Sequence, residues 1–308
     1  MTIEELNQAI VDGSIREMIR VAEARQCKRL GAIADQICAR GDVRLVLLSG
    51  ASSAGKTTTA TRLCTQLRVN DRKAMLLSTD DYFVGDKLNP RDENGNLDYE
   101  HVECVDIARQ SSDINRLLSG EEIDERRFDF QKHEGYYSGK KLSLPKDGII
   151  VLEGIHALNP RLTEGIPDSV KFRLFIEPRP NIDVFAGTYI KPKTARLLRR
   201  LVRDNNYRKM APSDTFKMWP NVLAGEEKWI TPFRQLVDAN FDSYLCYELA
   251  VLKNYAGGLL ERARREIGDH RDVMMLIELL KIVNPISPEL VPGDSILRET
   301  IGGSQLDY

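Results

Sequence analysis

The chain has 308 residues, 42 % of them hydrophobic and 29 % charged, with a net charge of -2 and a pI near 6.2. That length suffices for a full globular core, and the near-neutral balance excludes a general electrostatic attraction to nucleic acid or anionic membrane. No run approaches the roughly 18 apolar residues that span a bilayer.

The N-terminus, MTIEELNQAIVDGSIREMIR, is amphipathic and acidic early, unlike the basic start and apolar centre of a signal peptide. Five dispersed cysteines (Cys27, Cys38, Cys64, Cys104, Cys246), with no C-x-x-C, read as reduced thiols of a cytoplasmic protein. Apolar residues at three- and four-residue steps over 2–40 predict two helices, broken at Asp12-Gly13-Ser14 and ended by Gly41-Asp42.

Val43 to Ser49 is a buried-strand pattern and Thr58 to Leu67 a helical one. Between them stands Gly50-Ala51-Ser52-Ser53-Ala54-Gly55-Lys56-Thr57, a G-x-x-x-x-G-K-[ST] string followed by Thr58. Strand, loop and helix in that order make the string a phosphate-binding loop. Its glycines permit a tight turn, and its N–H groups and helix N-terminus face an anion. Lys56 supplies charge to the β- and γ-phosphates of a nucleotide, and the Thr57 hydroxyl is placed for Mg²⁺.

Lys73 to Ser78 predicts a second parallel strand, leading directly to Asp80 and Asp81. Ligands in open α/β sheets lie at the C-terminal ends of strands, where Asp80 would accept a proton from an attacking hydroxyl. Tyr99 to Leu118 reads as a helix, and 122–144 as an excursion containing a hairpin. Asp98, His133 and the aromatics Tyr82, Phe83, Phe128, Phe130, Tyr136 and Tyr137 are candidates for an acceptor pocket. Gly148 to Glu153 and Val170 to Ile176 are further buried strands, and Glu153, an acid ending an apolar strand, is a candidate near Mg²⁺.

Arg196, Arg199, Arg200 and Arg203 share one face of a helix. Alone they read as a solvated basic face or a nucleic-acid patch. Behind a phosphate loop they read as a mobile lid of bidentate donors. Residues 226–264 read as mostly helical, with a last strand within Tyr247 to Tyr255, then a helix from Val273 to Val283 and an irregular tail. The fold expected is an α/β P-loop NTPase fold, a mainly parallel sheet with helices on both faces and helical additions at both termini. Its expected organisation is a helical extension at 1–41, a kinase domain at 42–265 with a lid near 190–212, and a C-terminal helix and tail at 266–308.

The text GASSAGKTTTATRL, LLSTDDYF, NLDYEHVECVD, RFDFQKHEG, IIVLEGIHALNP and RLLRRLVRD resembles the uridine kinase and phosphoribulokinase family. The later text, from MWPNVLAGEEKW to SILRETIGGS, is similar to a bacterial branch in which such a domain often follows domains similar to those of threonyl-tRNA synthetase. The resemblance implies transfer of the γ-phosphate of ATP, with Mg²⁺, to a hydroxyl, typically the 5′-OH of uridine or cytidine. It assigns Asp80 as base, Asp98 as the acid on the ribose hydroxyls, and Phe128 to the acceptor base, with Phe83 a further substrate-binding candidate from its place after Asp80 and Asp81. It also assigns His133 to the pyrimidine edge, Glu153 to the metal side, and Arg199, Arg203 and Arg208 to the lid. Gly50 to Thr58 would hold ATP, with Thr57 and Glu153 on the metal. A homo-oligomer is expected, with ATP and a small molecule as partners, and neither nucleic acid nor membrane. Two positions depart from the nucleoside-kinase pattern. His133-Glu134-Gly135 lacks the arginine that usually follows the histidine, and Phe128 is commonly tyrosine. Lys193-Thr194 likewise stands where the bacterial branch has an acid before the lid arginines. A kinase of another sugar or polyol is the alternative within enzymes, and an NTP-dependent switch or regulatory protein the alternative outside them.

Overall fold

The computed structural model describes residues 1–93 and 95–307. Helix α1 (Ile3–Asp12) opens on a capping box, in which Thr2 Oγ1 accepts from the Glu5 N–H while Glu5 accepts from the Thr2 N–H. After Gly13, α2 (Ile15–Ala39) runs onto the sheet. The P-loop unit is β1 (Leu45–Ser49) and α3 (Lys56–Val69), followed by β2 (Ala74–Ser78) and a short 3₁₀ turn at Thr79–Tyr82. Next come α4 (Ile107–Leu118), the hairpin strands β3 (Ile123–Asp129) and β4 (Glu134–Leu142), and the sheet strands β5 (Ile149–Glu153) and β6 (Lys171–Glu177).

A small ribbon, β7 (Asp183–Phe185) and β8 (Thr188–Tyr189), leads to the arginine helix α5 (Pro192–Tyr207) and then α6 (Pro212–Trp229). Strand β9 (Ala239–Asp242), helices α7 (Glu248–Ile267) and α8 (Arg271–Lys281), and the short α9 (Arg298–Ile301) complete the chain. Among the described residues, no helix is long and apolar enough to cross a membrane.

Among the described residues, five strands form one parallel sheet in the order β2-β5-β1-β6-β9. The expected parallel sheet with helices on both faces is therefore the observed one. Side chains of a strand alternate between faces, and β1 shows it. Val46 and Leu48 pack with α2 and α3, whereas Leu45 and Leu47 pack with Ile114 and Leu117 of α4. A third core joins α1, the start of α2 and helices α5 to α8. Helix α2 enters both, with Ile15 and Ile19 in the helical core and Leu30, Ile33 and Ile37 against the sheet.

Two expected elements are corrected. The helix expected from Tyr99 begins only at Ile107, because Asp106 caps it by accepting from the Arg109 N–H at 3.0 Å and residues 102–104 form a separate 3₁₀ turn. The strand expected within Tyr247 to Tyr255 is the first turns of α7, and the last sheet strand is β9. Leu249, Ala250, Val251 and Leu252 are all buried, so the segment had no polar face to reveal a helical period. The tail, expected to be irregular, carries α9 and packs Ile296 and Leu297 into the core.

Candidate active site

The P-loop leaves the sheet at its centre, since β1 is hydrogen-bonded on both sides. Gly55 is the N-cap of α3 with φ +88°, and a Cβ there would meet Ile296 Cγ2 at 2.7 Å, so glycine is required twice over. The N-cap residue itself, a glycine, brings no side chain to cap this helix start. Its first N–H groups are thus turned to the loop, the arrangement that binds anions. Lys56 Nζ lies back over the loop and donates to Ala51 O at 3.4 Å.

The register puts Glu153 of β5 opposite Leu48 of β1 and Ser78 of β2, at the C-terminal edge beside the loop. Its Oε1 accepts from Ser78 Oγ at 2.8 Å and from Thr57 Oγ1 at 3.3 Å. Burial pushes this carboxyl up to about 7, with the Asp80 charge adding to the shift and Lys56 opposing it. Thr57 and Glu153 thus bring a hydroxyl and a carboxylate together, the hard oxygen donors that suit Mg²⁺. Among the described residues no group of three or more His, Cys, Asp or Glu could hold a metal by itself.

Gly154, with φ +155°, lets the next strand end abut Asp80's turn, because a Cβ there would fall 1.7 Å from Thr79 Oγ1. Asp80 is the second residue of the 3₁₀ turn, where its N–H donates to Ser78 Oγ at 3.3 Å and its side chain is half-buried. The neighbouring Asp81 points elsewhere, accepting from the Phe128 N–H at 3.2 Å and lying 3.6 Å from Arg127. Burial pushes Asp81 up to about 6 against the pull of Arg127.

The candidate acceptor residues fall into two groups. Phe83, Phe128 and Phe130 form an edge-to-face cluster with centroids 5.1–6.1 Å apart, and Arg208 stacks on Phe130 at 5.3 Å. The Arg208 guanidinium is drawn down to about 10 by Arg203 and by burial. His133, with φ 55°, places Nδ1 3.1 Å from Asp86, and Tyr99 OH donates to Asp86 at 2.8 Å. Asp98 accepts from the Glu100 N–H at 3.0 Å. Tyr82 is corrected from the pocket to the core, where its hydroxyl donates to Asp113 at 3.2 Å. Tyr136 and Tyr137 are exposed on β4, and Arg109 stacks on Tyr137.

The arginine face of α5 is also placed differently from expectation. The four arginines do share a face, but Arg196, Arg199 and Arg200 are buried and reach the P-loop, while Arg203 is part-buried beside Asp204. Arg196 donates to Ser52 O and Arg200 to Ser52 Oγ, at 3.4 and 2.9 Å. Arg199, expected as a lid donor, forms a fully buried pair with Glu248, donates to Ser243 O at 2.9 Å, and reaches Ala54 O at 3.5 Å. It braces the loop from behind. Arg203 pairs with Asp204 at 2.8 Å, and burial, which works against its charge, is more than offset by Asp204, Glu299 and Asp80.

Four neighbours of the site escaped sequence reasoning: Glu248 behind Arg199, Asp86 and Tyr99 beside His133, and Glu100. Burial raises the Glu100 carboxyl, which lies among the charges of Arg200 and Lys56. His156, 1 % exposed, is held neutral, since burial lowers it to about 3. A wide concavity of about 1030 Å³ lies among α1, the β7–β8 ribbon, α6 and α8, and none of the candidate residues lines it. The chemistry-bearing groups gather instead at the P-loop edge of the sheet.

The sequence pattern of the phosphoribulokinase / uridine kinase family matches residues 45–250. A uridine kinase of Halobacterium salinarum is 27 % identical over 51 % of this chain and 60 % of that protein. A uridine kinase of Lactobacillus helveticus is 26 % identical over 52 % of this chain and 67 % of that protein. The match thus spans about two thirds or less of these relatives. The solved structure of a candidate fructose transport system kinase from Silicibacter sp. TM1040 superposes with a TM-score of 0.51 at 20 % identity. It covers 68 % of this chain and 98 % of that one, a likeness of fold.

Proposed function

The chain belongs to the phosphoribulokinase / uridine kinase family, and from that premise we propose that it transfers the γ-phosphate of ATP to a hydroxyl of a small molecule. The observation that carries this reading is the convergence of Asp80, Glu153 and Thr57 at the strand ends beside the N-terminus of the P-loop helix. Phosphoryl transfer needs positioning and charge stabilisation more than covalent chemistry. Lys56 and the N–H groups of residues 50–58 hold the phosphates. Asp80 orients the acceptor hydroxyl and takes its proton. Thr57 and Glu153 would hold Mg²⁺, which supplies charge neutralisation on the phosphate oxygens. Arg203 and Arg208 close the phosphate side from α5, and Arg199 keeps the loop in shape.

The acceptor we infer is a pyrimidine ribonucleoside, phosphorylated at its 5′-OH. Phe83 and Phe128, packed edge to face, offer an apolar aromatic surface, His133 a polar edge at a fixed angle, and Asp98 an acceptor for ribose hydroxyls. The Asp86 carboxylate beside His133 fixes the ring orientation and supports Nδ1 as the donor-bearing nitrogen, leaving Nε2 to read the base. ADP release measured with uridine, cytidine, their deoxy analogues, free pentoses and polyols tests the reading. Uridine or cytidine should stimulate release well above every other class. Stimulation by a sugar or polyol alone would replace the acceptor and keep the kinase. Stimulation by none of them would count against the kinase reading itself.

A further inference from the structure

Thr58 is the third residue of α3, so its N–H belongs to the helix-start donors that a P-loop turns to phosphate. A carboxylate of the chain itself takes that position. Glu299 Oε2 accepts from the Thr58 N–H at 3.2 Å and from Thr58 Oγ1 at 2.9 Å, across 241 residues of sequence. Thr58 is fully buried beneath this contact.

The carboxylate is delivered by a fixed element. Arg298 donates to the carbonyls of Pro288, Val291 and Gly302, which ties the turns on either side of α9 together. Ile296 packs over Gly55 of the P-loop, and Leu297 is buried in the helical core. Asn206, at the end of α5, donates to Thr300 O at 3.2 Å. The tail is thereby pinned between the P-loop and the arginine helix, and Glu299 is its anionic tip.

A carboxylate and a phosphate oxygen need the same two donors, and at hydrogen-bond range they repel each other. On the reading of residues 50–58 as a nucleotide site, we propose that Glu299 is a built-in competitor of the nucleotide. Its carboxylate and a nucleotide phosphate take the Thr58 donors in turn, so the C-terminal segment sets how tightly the donor nucleotide binds. The exchange requires only a side-chain rotation of Glu299, because α9 itself is anchored by Leu297 and Arg298. A tail that gates its own P-loop also makes nucleotide affinity responsive to anything that shifts α5, through the Asn206–Thr300 link.

Calorimetric titration of ADP into the full chain, its Glu299→Gln and its Glu299→Ala variants tests this, with the melting temperature of each recorded without nucleotide. The inference expects ADP to bind at least fivefold tighter to both variants, while the melting temperature of the alanine variant falls because Thr58 loses a buried partner. A purely structural Glu299 would lower both stability and affinity, and that result overturns the inference. Affinity unchanged within twofold overturns it as well and leaves the nucleotide site standing. Folded protein in which neither wild type nor variant binds ADP overturns the nucleotide reading, and this inference with it.

Discussion

Asp81 accepts a hydrogen bond from the backbone N–H of Phe128 at 3.2 Å, tying the turn after β2 to the hairpin that carries the aromatic cluster. The two adjacent acids therefore do different work. Asp81 fixes the hairpin, and Asp80 is left to face the charges of the P-loop edge. Asp80→Asn keeps size and most hydrogen bonding but takes no proton, so kcat should fall by about 10²–10⁴ with ADP affinity nearly unchanged. Asp81→Asn should change kcat far less. Steady-state kinetics of the pair decide, and the reverse ranking would move the base to Asp81.

The same contact has a pH signature. Burial raises the folded-state pKa of Asp81 from its ordinary 3.8 to about 6. A raised carboxyl favours the folded state below its unfolded pKa and loses that contribution as pH rises through the folded one. Between about pH 4 and pH 6 the wild type should therefore lose stability relative to Asp81→Asn. Denaturant unfolding of both proteins at several pH values measures the difference, and a flat difference across that window contradicts the assignment.

Arg199 and Glu248 form a buried pair, 2 % and 0 % exposed. Removing one partner of such a pair leaves an uncompensated charge and costs about 3–5 kcal/mol. Glu248→Ala should accordingly be among the most destabilising single changes in the chain. Because Arg199 also reaches Ala54 O, nucleotide binding should weaken along with the melting temperature. Stability within about 1 kcal/mol of wild type would show that the guanidinium finds other partners.

His133 is fixed by Asp86 and by its own left-handed backbone. His133→Ala should raise KM for the nucleoside more than KM for ATP, since a site built to pair polar groups discriminates strongly when one is removed. Equal changes in both constants would place the histidine outside the acceptor pocket.

The central sheet and the P-loop were legible in the sequence because their signals are local. Leu45 to Leu48 is a continuous apolar run, Gly50 to Thr57 a contiguous motif, and Ser78 and Glu153 end strands whose pairing follows from the parallel order. What stayed hidden depends on distant contacts. Glu299 meets Thr58 and Glu248 meets Arg199 across long stretches of chain, and nothing in the text around Arg199 distinguishes a buried brace from a solvated lid. The periodicity of α5 located a face but not what covers it. In the same way Asp86 and Tyr99 join His133 only because the hairpin folds back over the turn after β2.

The claim on which the rest depends is that residues 50–58 cradle the phosphates of ATP, and Lys56→Ala tests it most directly. Lys56 lies over the loop and outside the three large cores, so the variant should keep the wild-type melting temperature. Loss of a preorganised charge contact in the transition state should cost about 2.7–4 kcal/mol, or about 10²–10³ in acceptor-dependent ADP release. Activity within tenfold of wild type in the folded variant would contradict the account.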